Sequence, residues 1–299
     1  MKQKKSFKRW LGQEHVAGYI CSAPFIFGFL MFMIVPMAIS LYYAFCDYNI
    51  TNPPVWSGLK NLKTAFAGDE LFWKSLRVTC IYALIGTPLK VIFALIVALI
   101  LCRQTKMTGV YRAVYYMPSI IGGSVAVAVL WKRMFSSDGV INSLIQKLGF
   151  DFHFPWLGDT RSAIWVLILL TVWQFGSSML IFLSSLKQIN KELYEAAEVD
   201  GANKWKQFWK VTLPLLTPTV FFNLVQQTIN SFLAFTQCYI ITGGKPMNST
   251  LFYTVHVYNN AFQYHKTGYA SCLAWIMLII VSIATLILFK TKNKWVYEA

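Results

Sequence analysis

The sequence has few charged residues, and acidic residues are especially scarce. Asp and Glu together number 12 in 299 residues, and charged residues of both signs make up 13% of the chain, whereas soluble domains average about 25%. The segments 16–46 and 267–289 contain no charged residue at all. Because a helix of about 20 apolar residues crosses a bilayer, these runs exclude an ordinary soluble domain and predict an integral membrane protein.

The apolar runs predict six transmembrane helices and an all-α fold. The predicted spans are 16–44, 78–102, 113–131, 162–186, 213–241 and 267–289. They divide the chain into a cytoplasmic N-terminal segment (1–15), a transmembrane domain (16–290) that includes a polar loop (187–212), and a cytoplasmic tail (291–299). The first uncharged run is too long for a signal peptide, so we expect it to stay in the protein.

The distribution of basic residues predicts the orientation in the membrane. The segments on the side of the N-terminus carry 16 Lys and Arg in 61 residues, and those on the opposite side carry 10 in 87. Because cytoplasmic loops are enriched in Lys and Arg, both termini are predicted to be cytoplasmic. The net charge of +15 therefore reflects membrane topology, and we expect no nucleic-acid partner.

The predicted spans contain no Asp, Glu or His. Proton-driven carriers place such groups within the membrane, so their absence disfavours a secondary transporter, although a sodium site built from carbonyl and hydroxyl groups remains an alternative. An intramembrane enzyme would need a nucleophile or metal ligands, and the spans offer only isolated Ser and Cys. Since the chain also has no H-E-x-x-H, G-x-S-x-G or Walker A sequence, we expect no catalysis, no metal and no cofactor.

The polar loop 187–212 is predicted to contain a short capped helix. Asn190 can cap its N-terminus, and Gly201 can adopt the left-handed conformation that ends helices. Between them Glu192, Glu195 and Glu198 recur every third residue, which places three like charges on neighbouring turns. The charge pattern alone leaves two interpretations open, a solvated surface helix or a helix that docks on a basic partner.

The order of residues in this loop resembles the signature loop of ABC importer permeases. The triplet E-A-A (Glu195, Ala196, Ala197) is followed by Gly201, and then by L-P at 213–214. In that family the loop forms the coupling helix, which seats in a cleft of the ATP-binding subunit. The resemblance implies the coupling residues Glu192, Glu195, Ala196, Ala197, Asp200 and Gly201. Relatives commonly have Pro where Asn190 stands, but Asn caps a helix equally well.

Further motifs narrow the resemblance to one group of ABC importer permeases, the carbohydrate uptake transporter-1 permeases of the maltose-permease type. These motifs are Y-R-A-V-Y-Y-M-P at 111–118, P-W-L-G-D at 155–159, T-G-G-x-P at 242–246 and G-Y-A-S at 268–271. Lys245 stands where relatives usually have a third glycine, so the resemblance does not fix the conformation of that loop. The large extracytoplasmic insertion of the maltose permease is absent.

The resemblance implies a type I ABC importer permease fold and import of a sugar or oligosaccharide across a bacterial cell membrane. The implied partners are a second, similar permease, two ATP-binding subunits that bind ATP and Mg²⁺, and an extracytoplasmic solute-binding protein. Importers of glycerol phosphates, amino acids or polyamines remain alternatives within the class, and a secondary transporter remains the alternative outside it.

The fifth predicted span is unusually polar and is a candidate for the substrate pathway. Projected at 100° per residue, its amides fall within an arc of about 100°; they are Asn223, Gln226, Gln227, Asn230 and Gln237. Such a stripe either lines a wet cavity that recognises sugar hydroxyls or holds helices together. Trp173 and Gln174 of the fourth span are further pathway candidates.

Lys90 is the one charged residue deep within a predicted span. It follows Pro88, and the chain has no acidic residue between Glu70 and Asp138. Lys90 can face the second permease, face a water-filled vestibule where it attracts an anionic sugar, or snorkel toward the inner surface. We therefore include it among the pathway candidates.

Overall fold

The computed structural model describes residues 14–102, 107–150 and 153–297. Most of the predicted cytoplasmic segment 1–15 and the last two residues of the predicted tail lie outside the described residues.

The described chain is predominantly helical. Its helices are α1 (Glu14–Phe29), α2 (Val35–Ala44), α3 (Lys60–Lys63), α4 (Glu70–Cys102), α5 (Thr108–Ile121), α6 (Val125–Met134), α7 (Val140–Lys147), α8 (Ala163–Trp173), α9 (Gly176–Gln188), α10 (Lys191–Val199), α11 (Lys204–Gln207), α12 (Leu213–Phe232), α13 (Thr236–Ile241), α14 (Tyr253–Tyr258) and α15 (Thr267–Trp295). Four π-helical turns are Leu30–Ile34, Thr64–Gly68, Phe208–Thr212 and Asn259–Gln263. The strands are β1 (Cys46–Asn49) and β2 (Asn52–Trp56).

Four helical segments are long and apolar enough to cross a membrane. They are Gly18–Ala44, Glu70–Cys102, Lys204–Phe232 and Thr267–Trp295. Two further pairs of helices pass the same test but are bent, α5 with α6 by 97° and α8 with α9 by 41°. The described residues therefore hold up to six spans if each bent pair is one span.

The predicted third span, 113–131, differs from the observed helices because the chain bends sharply within it. The G-G-S sequence at 122–124 separates α5 from α6, and Ser124 is extended there (φ −77°, ψ 151°). Its Oγ accepts a 3.4 Å hydrogen bond from the backbone N–H of Val127, which caps the new helix. A Cβ on Gly122 would lie 2.4 Å from the carbonyl oxygen of Pro118, so only glycine fits this bend.

The predicted fifth span, 213–241, also differs from the observed helix, which ends at Phe232. Phe235 has a non-helical backbone (φ −133°, ψ −65°) before α13 begins. The hydroxyl of Thr254 donates to the carbonyl oxygen of Ala234, so a side chain replaces a helical partner at the break. The helical projection that placed Gln237 on the stripe of α12 is therefore wrong for Gln237.

The described residues divide into two compact units, one drawn from the ranges 1–63 and 260–275 and the other from the ranges 64–259 and 276–299. The first unit contains a β-hairpin that the all-α prediction missed. β1 and β2 pair antiparallel with Cys46 opposite Trp56. The Nδ2 of Asn61 donates 2.9 Å hydrogen bonds to the carbonyl oxygens of Ala44 and Cys46, which fixes the hairpin to the end of α2.

The second unit is organised around α4, which buries residues along its whole length. Its N-terminal half contributes Val78 and Tyr82 to an apolar cluster with residues of α6, α8 and α13. Its C-terminal half contributes Val91 and Ala94 to a second cluster, mainly with residues of α9. The buried polar side chains of Thr87 and Lys90 lie between these two sets along α4, so the apolar core is interrupted at this level.

Candidate functional site

The loop between α9 and α12 carries a short, solvent-facing helix, α10, in which every residue is at least partly exposed. Asn190 precedes it in an extended conformation (ψ 132°). The Asn190 Oδ1 accepts a 3.2 Å hydrogen bond from the backbone N–H of Glu192, and its Nδ2 donates to the Glu192 carboxylate at 3.0 Å. Asn190 thus caps the helix and also orients an acidic side chain beside the positive end of the helix dipole.

The C-terminus of α10 ends in a Schellman motif. Gly201 has a left-handed backbone (φ +74°), a conformation that residues with a Cβ adopt only at a cost. The backbone N–H of Gly201 donates to the carbonyl oxygen of Glu198 at 2.9 Å, and that of Ala202 donates to Ala197 at 2.8 Å. These two bonds satisfy carbonyl groups that would otherwise lack partners at the helix end.

α10 exposes both carboxylates and apolar side chains. Glu192, Glu195 and Glu198 are exposed, and no cation lies within ion-pair distance of them in the part of the chain that the structure describes. Leu193 is 45% exposed and Val199 is 88% exposed. Because nine residues are too few for an isolated helix to be stable in water, a helix with this surface fits a docking element better than a solvated one.

α10 is connected to the start of α12 by side-chain hydrogen bonds. The hydroxyls of Tyr194 in α10 and Thr212, the residue before α12, lie 3.0 Å apart, and the Nε2 of Gln207 donates to the Oε1 of Glu198 in α10 at 3.5 Å. Trp205 and Trp209 are exposed and meet edge to face, with ring centroids 5.7 Å apart. Indole rings suit the membrane–water interface, which fits a position just before the helix that enters the membrane.

A second candidate region is a polar cavity of about 260 Å³ within the second unit. Five of the eight predicted pathway residues line it, and they are Lys90, Gln174, Gln227, Asn230 and Gln237. They come from four different helical segments, so the fold brings together side chains that are up to 147 positions apart in the sequence.

Three breaks between helices meet at this cavity. Gly123 lies at the bend between α5 and α6, Gln174 at the bend between α8 and α9, and Ala234 at the break between α12 and α13; all three line the cavity. Non-helical backbone within a membrane is tolerated where it is buried in protein or lines a water-filled space. Transporters build solute sites from such discontinuous helices, so the breaks mark this cavity as a candidate solute site.

The glutamine amides at the cavity already use their nitrogen atoms. The Nε2 atoms of Gln174 and Gln237 both donate to the carbonyl oxygen of Gly122, at 3.0 and 3.5 Å. The Nε2 of Gln227 donates to the Ser178 hydroxyl at 3.1 Å. Within the described residues the three amide oxygens have no hydrogen-bond donor, so the cavity wall offers acceptors that suit hydroxyl groups.

Three predicted pathway residues lie elsewhere. Asn223 is fully buried, and its Nδ2 donates to the carbonyl oxygen of Thr219 at 3.0 Å. Gln226 is exposed and is not part of the cavity wall. Trp173 packs against Trp131 with ring centroids 5.5 Å apart, so its ring belongs to the apolar core beside the cavity.

Gly122, whose carbonyl oxygen holds two of the cavity glutamines, was not among the residues predicted from the sequence. Neither were the hydroxyls on the cavity wall, those of Tyr82, Thr171 and Ser231. The G-G-S sequence at 122–124 was a readable signal, because two adjacent glycines before an N-capping serine favour a helix break. The hydroxyl residues carry no comparable signal, since Ser, Thr and Tyr are common in membrane helices that only pack together.

Comparison with known proteins agrees with this architecture. The family model for a binding-protein-dependent transport system inner membrane component matches residues 65–294. The chain is 50% identical to the probable ABC transporter permease protein YesP of Bacillus subtilis, over 99% of this chain and 96% of that protein. It is 31% identical to the probable starch degradation products transport system permease protein AmyD of Thermoanaerobacterium thermosulfurigenes, over 89% of this chain and 90% of that protein.

A solved structure shares the fold. A chain of a bacterial alginate ABC transporter, crystallised with a periplasmic protein that holds an alginate pentasaccharide, superimposes with a TM-score of 0.78. The match covers 93% of this chain and 94% of that one at 22% identity, which confirms the predicted type I importer permease fold. The protein is therefore a multi-pass membrane protein that belongs to the family of binding-protein-dependent transport system inner membrane components, the ABC transporter permeases.

Proposed function

We propose that this chain is the membrane-spanning permease of an ATP-driven importer that takes up a sugar or oligosaccharide. The observation that carries the proposal is α10, a capped and exposed helix that bears the E-A-A triplet in a chain of this family. Its carboxylates form no ion pair among the described residues. A helix of this kind needs a partner surface, and an ATP-binding subunit supplies one in the proposed complex.

The proposed complex contains a second permease, two ATP-binding subunits and an extracytoplasmic solute-binding protein. In it, both termini and α10 face the cytoplasm of a bacterial cell. Closure of the ATP-binding subunits moves α10, and the hydrogen bonds of Tyr194 with Thr212 and of Glu198 with Gln207 carry that movement toward α12. A movement of α12 reshapes the cavity, because Gln227 and Asn230 lie on this helix. Alternating access follows from these rigid-element movements.

ATP hydrolysis is assigned to the partner subunits. In this proposal the chain binds neither ATP nor Mg²⁺, holds no cofactor and performs no catalysis. Its own residues contribute a docking helix, a mechanical connection to α12 and a polar path for the solute.

Two observations support a carbohydrate as the solute. One is the name of AmyD, a relative that matches most of this chain and is described as a permease for starch degradation products. The other is the cavity, where amide oxygens and hydroxyls are available to sugar hydroxyl groups. At about 260 Å³ the cavity is slightly smaller than the roughly 300–1,000 Å³ usual for ligand pockets, so it accommodates one sugar unit at a time.

The proposal is tested by purifying the tagged chain from its host in mild detergent and identifying the copurifying proteins by mass spectrometry. We expect an ATP-binding subunit and a second permease with its own E-A-A loop. The purified complex, reconstituted with its binding protein, should then take up sugar only when ATP is hydrolysed. A chain that purifies alone and transports solute in ATP-free vesicles would overturn the proposal.

A further inference from the structure

The cavity contains a buried cation that nothing in the described chain neutralises. Lys90 is 8% exposed and lines the cavity. Within residues 14–102, 107–150 and 153–297, its ammonium group has neither a hydrogen bond nor an ion pair, and no acidic side chain lines the cavity. A buried charge without a partner is costly in free energy, so its presence at this position calls for a counter-charge that arrives from outside the chain.

Helix ends of both signs lie at this cavity. α6 begins at Val125 and α9 at Gly176, whereas α5, α8 and α12 end at Ile121, Trp173 and Phe232 beside the same wall. A helix N-terminus carries a partial positive charge and a C-terminus a partial negative one, so these ends largely offset one another. Lys90 therefore sets the sign of the cavity and favours a negatively charged group in it.

From these observations we infer that the cavity binds the carboxylate of an acidic sugar during transport, with Lys90 as the counter-ion. This inference rests on the proposed function and specifies its substrate class as uronate-containing carbohydrate. The amide oxygens of Gln174 and Gln237 accept hydrogen bonds from the sugar hydroxyls, and the side-chain amide of Asn230, which has no hydrogen bond among the described residues, contacts them too. The ammonium group of Lys90 donates to the carboxylate.

A carboxylate fits this site better than a phosphate. The cavity presents one ammonium group and no arginine, whereas phosphate groups carry up to two charges and are commonly bound by the bidentate guanidinium of Arg. The surrounding acceptors would repel the additional oxygen atoms of a phosphate, but they match the hydroxyls of a sugar ring.

The inference is tested with the complete transporter, its binding protein included, in ATP-loaded proteoliposomes. The probes are trigalacturonate, trimannuronate, their fully methyl-esterified forms, maltotriose and glycerol phosphate. The methyl esters keep the sugar skeleton and remove only the charge. We expect ATP-dependent uptake of at least one of the two acidic sugars and weaker uptake of its ester.

Variants of Lys90 connect this preference to the side chain. Lys90→Met keeps the length of the side chain without its charge, and it should lower uptake of the acidic sugar roughly tenfold or more, the effect of one lost charge-assisted contact. Lys90→Arg retains the charge and should keep most of the uptake. Lys63→Met removes a charge from an exposed lysine outside the cavity and should leave uptake unchanged.

The outcomes separate this inference from the proposed function. Uptake of maltotriose or the esters but of neither acidic sugar would overturn the inference and leave a sugar importer. Unchanged acidic-sugar uptake by Lys90→Met would overturn it too, and so would a preference for glycerol phosphate. A Lys90→Met variant that loses its second permease, with normal uptake per intact complex, would assign Lys90 to the subunit interface instead. Absence of ATP-dependent uptake of every probe would overturn the proposed function together with the inference.

Discussion

The backbone N–H of Ala202 donates a 2.8 Å hydrogen bond to the carbonyl oxygen of Ala197. Ala197 is the last residue of the E-A-A triplet, so the bond that ends α10 begins within the triplet itself. The bond requires the left-handed backbone of Gly201 between the two residues (φ +74°). The triplet and the glycine are therefore parts of one structural unit, and the spacing between them is the spacing of a Schellman motif.

We predict that Gly201→Ala weakens docking of the ATP-binding subunit. A Cβ in the left-handed region costs about 1 kcal/mol, and this cost falls on a helix with little stability of its own. Copurification of the ATP-binding subunit should fall roughly fivefold, the equivalent of about 1 kcal/mol.

Gly149→Ala is the matched control for that experiment. Gly149 also has a left-handed backbone (φ +88°) and also ends a helix, α7, in a Schellman motif. Its backbone N–H donates to the carbonyl oxygen of Gln146, and that of Phe150 donates to Ile145. Gly149→Ala carries the same backbone strain on a segment that we propose to be extracytoplasmic. Equal losses of the ATP-binding subunit from both variants would contradict the role assigned to α10.

Charge reversal at Glu195 should separate docking from membrane insertion. Glu195 is exposed on α10 and forms no ion pair within the described residues, so Glu195→Lys costs little in the chain itself. It should reduce the yield of the complex strongly, because a lysine faces the basic surface expected on the partner. Asp138→Lys, at another exposed acid, should give normal yield. A wild-type complex yield from Glu195→Lys would rule out this contact.

The N-terminus of α4 depends on Asp69. Its Oδ1 accepts hydrogen bonds from the backbone N–H groups of Leu71 at 2.9 Å and Phe72 at 3.3 Å. Its Oδ2 lies 2.8 Å from the Nε2 of the buried His256. We predict that Asp69→Ala destabilises the protein by about 3 kcal/mol, since it removes a helix cap and leaves a buried imidazole without this acceptor.

The measurement is the thermal unfolding midpoint in detergent, followed by tryptophan fluorescence. Asp69→Asn retains a side-chain oxygen for the cap, so its midpoint should lie between those of wild type and Asp69→Ala. Equal midpoints for the two variants would show that the cap contributes little and that the histidine contact dominates.

Local signals in the sequence predicted the loop helix well, because caps depend on a few neighbouring residues. Asn190 and Gly201 occupy the two positions that the sequence indicated. The helix breaks were harder to predict. Apolar composition continues across residues 233–235, and the interruption comes from Thr254, which bonds to Ala234 from 20 positions away. No residue close to Ala234 in the sequence indicates that contact.

The residues that line the cavity were also only partly predictable from the sequence. A helical projection grouped five amides on one face, but Gln237 lies on α13, a separate helix that begins after the break at Phe235, and lines the cavity from there. Gln226 was in the group and lies outside the cavity. Lys90 stood out as a lone charge, yet only the packing of α4, α8 and α12 decides which of its three possible surroundings is present.

The two interpretations of the amide stripe, helix contact and solute contact, apply to different residues of α12. Gln227 is 5% exposed, and its Nε2 donates to Ser178 on α9, while its backbone carbonyl accepts from Thr87 on α4. Asn230 lines the cavity and has no side-chain hydrogen bond among the described residues. Gln227 thus connects helices, whereas the amide of Asn230 is available to the solute.

We therefore predict opposite effects for two alanine variants. Gln227→Ala should lower the thermal midpoint, by the equivalent of about 1 kcal/mol for one interhelical hydrogen bond. Asn230→Ala should leave the midpoint and the yield of the complex unchanged, but it should lower the rate of ATP-dependent sugar uptake several-fold at limiting sugar concentration. Full uptake by Asn230→Ala would remove this residue from the pathway. A lowered midpoint for Asn230→Ala would instead give it the structural role assigned to Gln227, because a side chain that contacts only solute cannot affect unfolding in the absence of sugar.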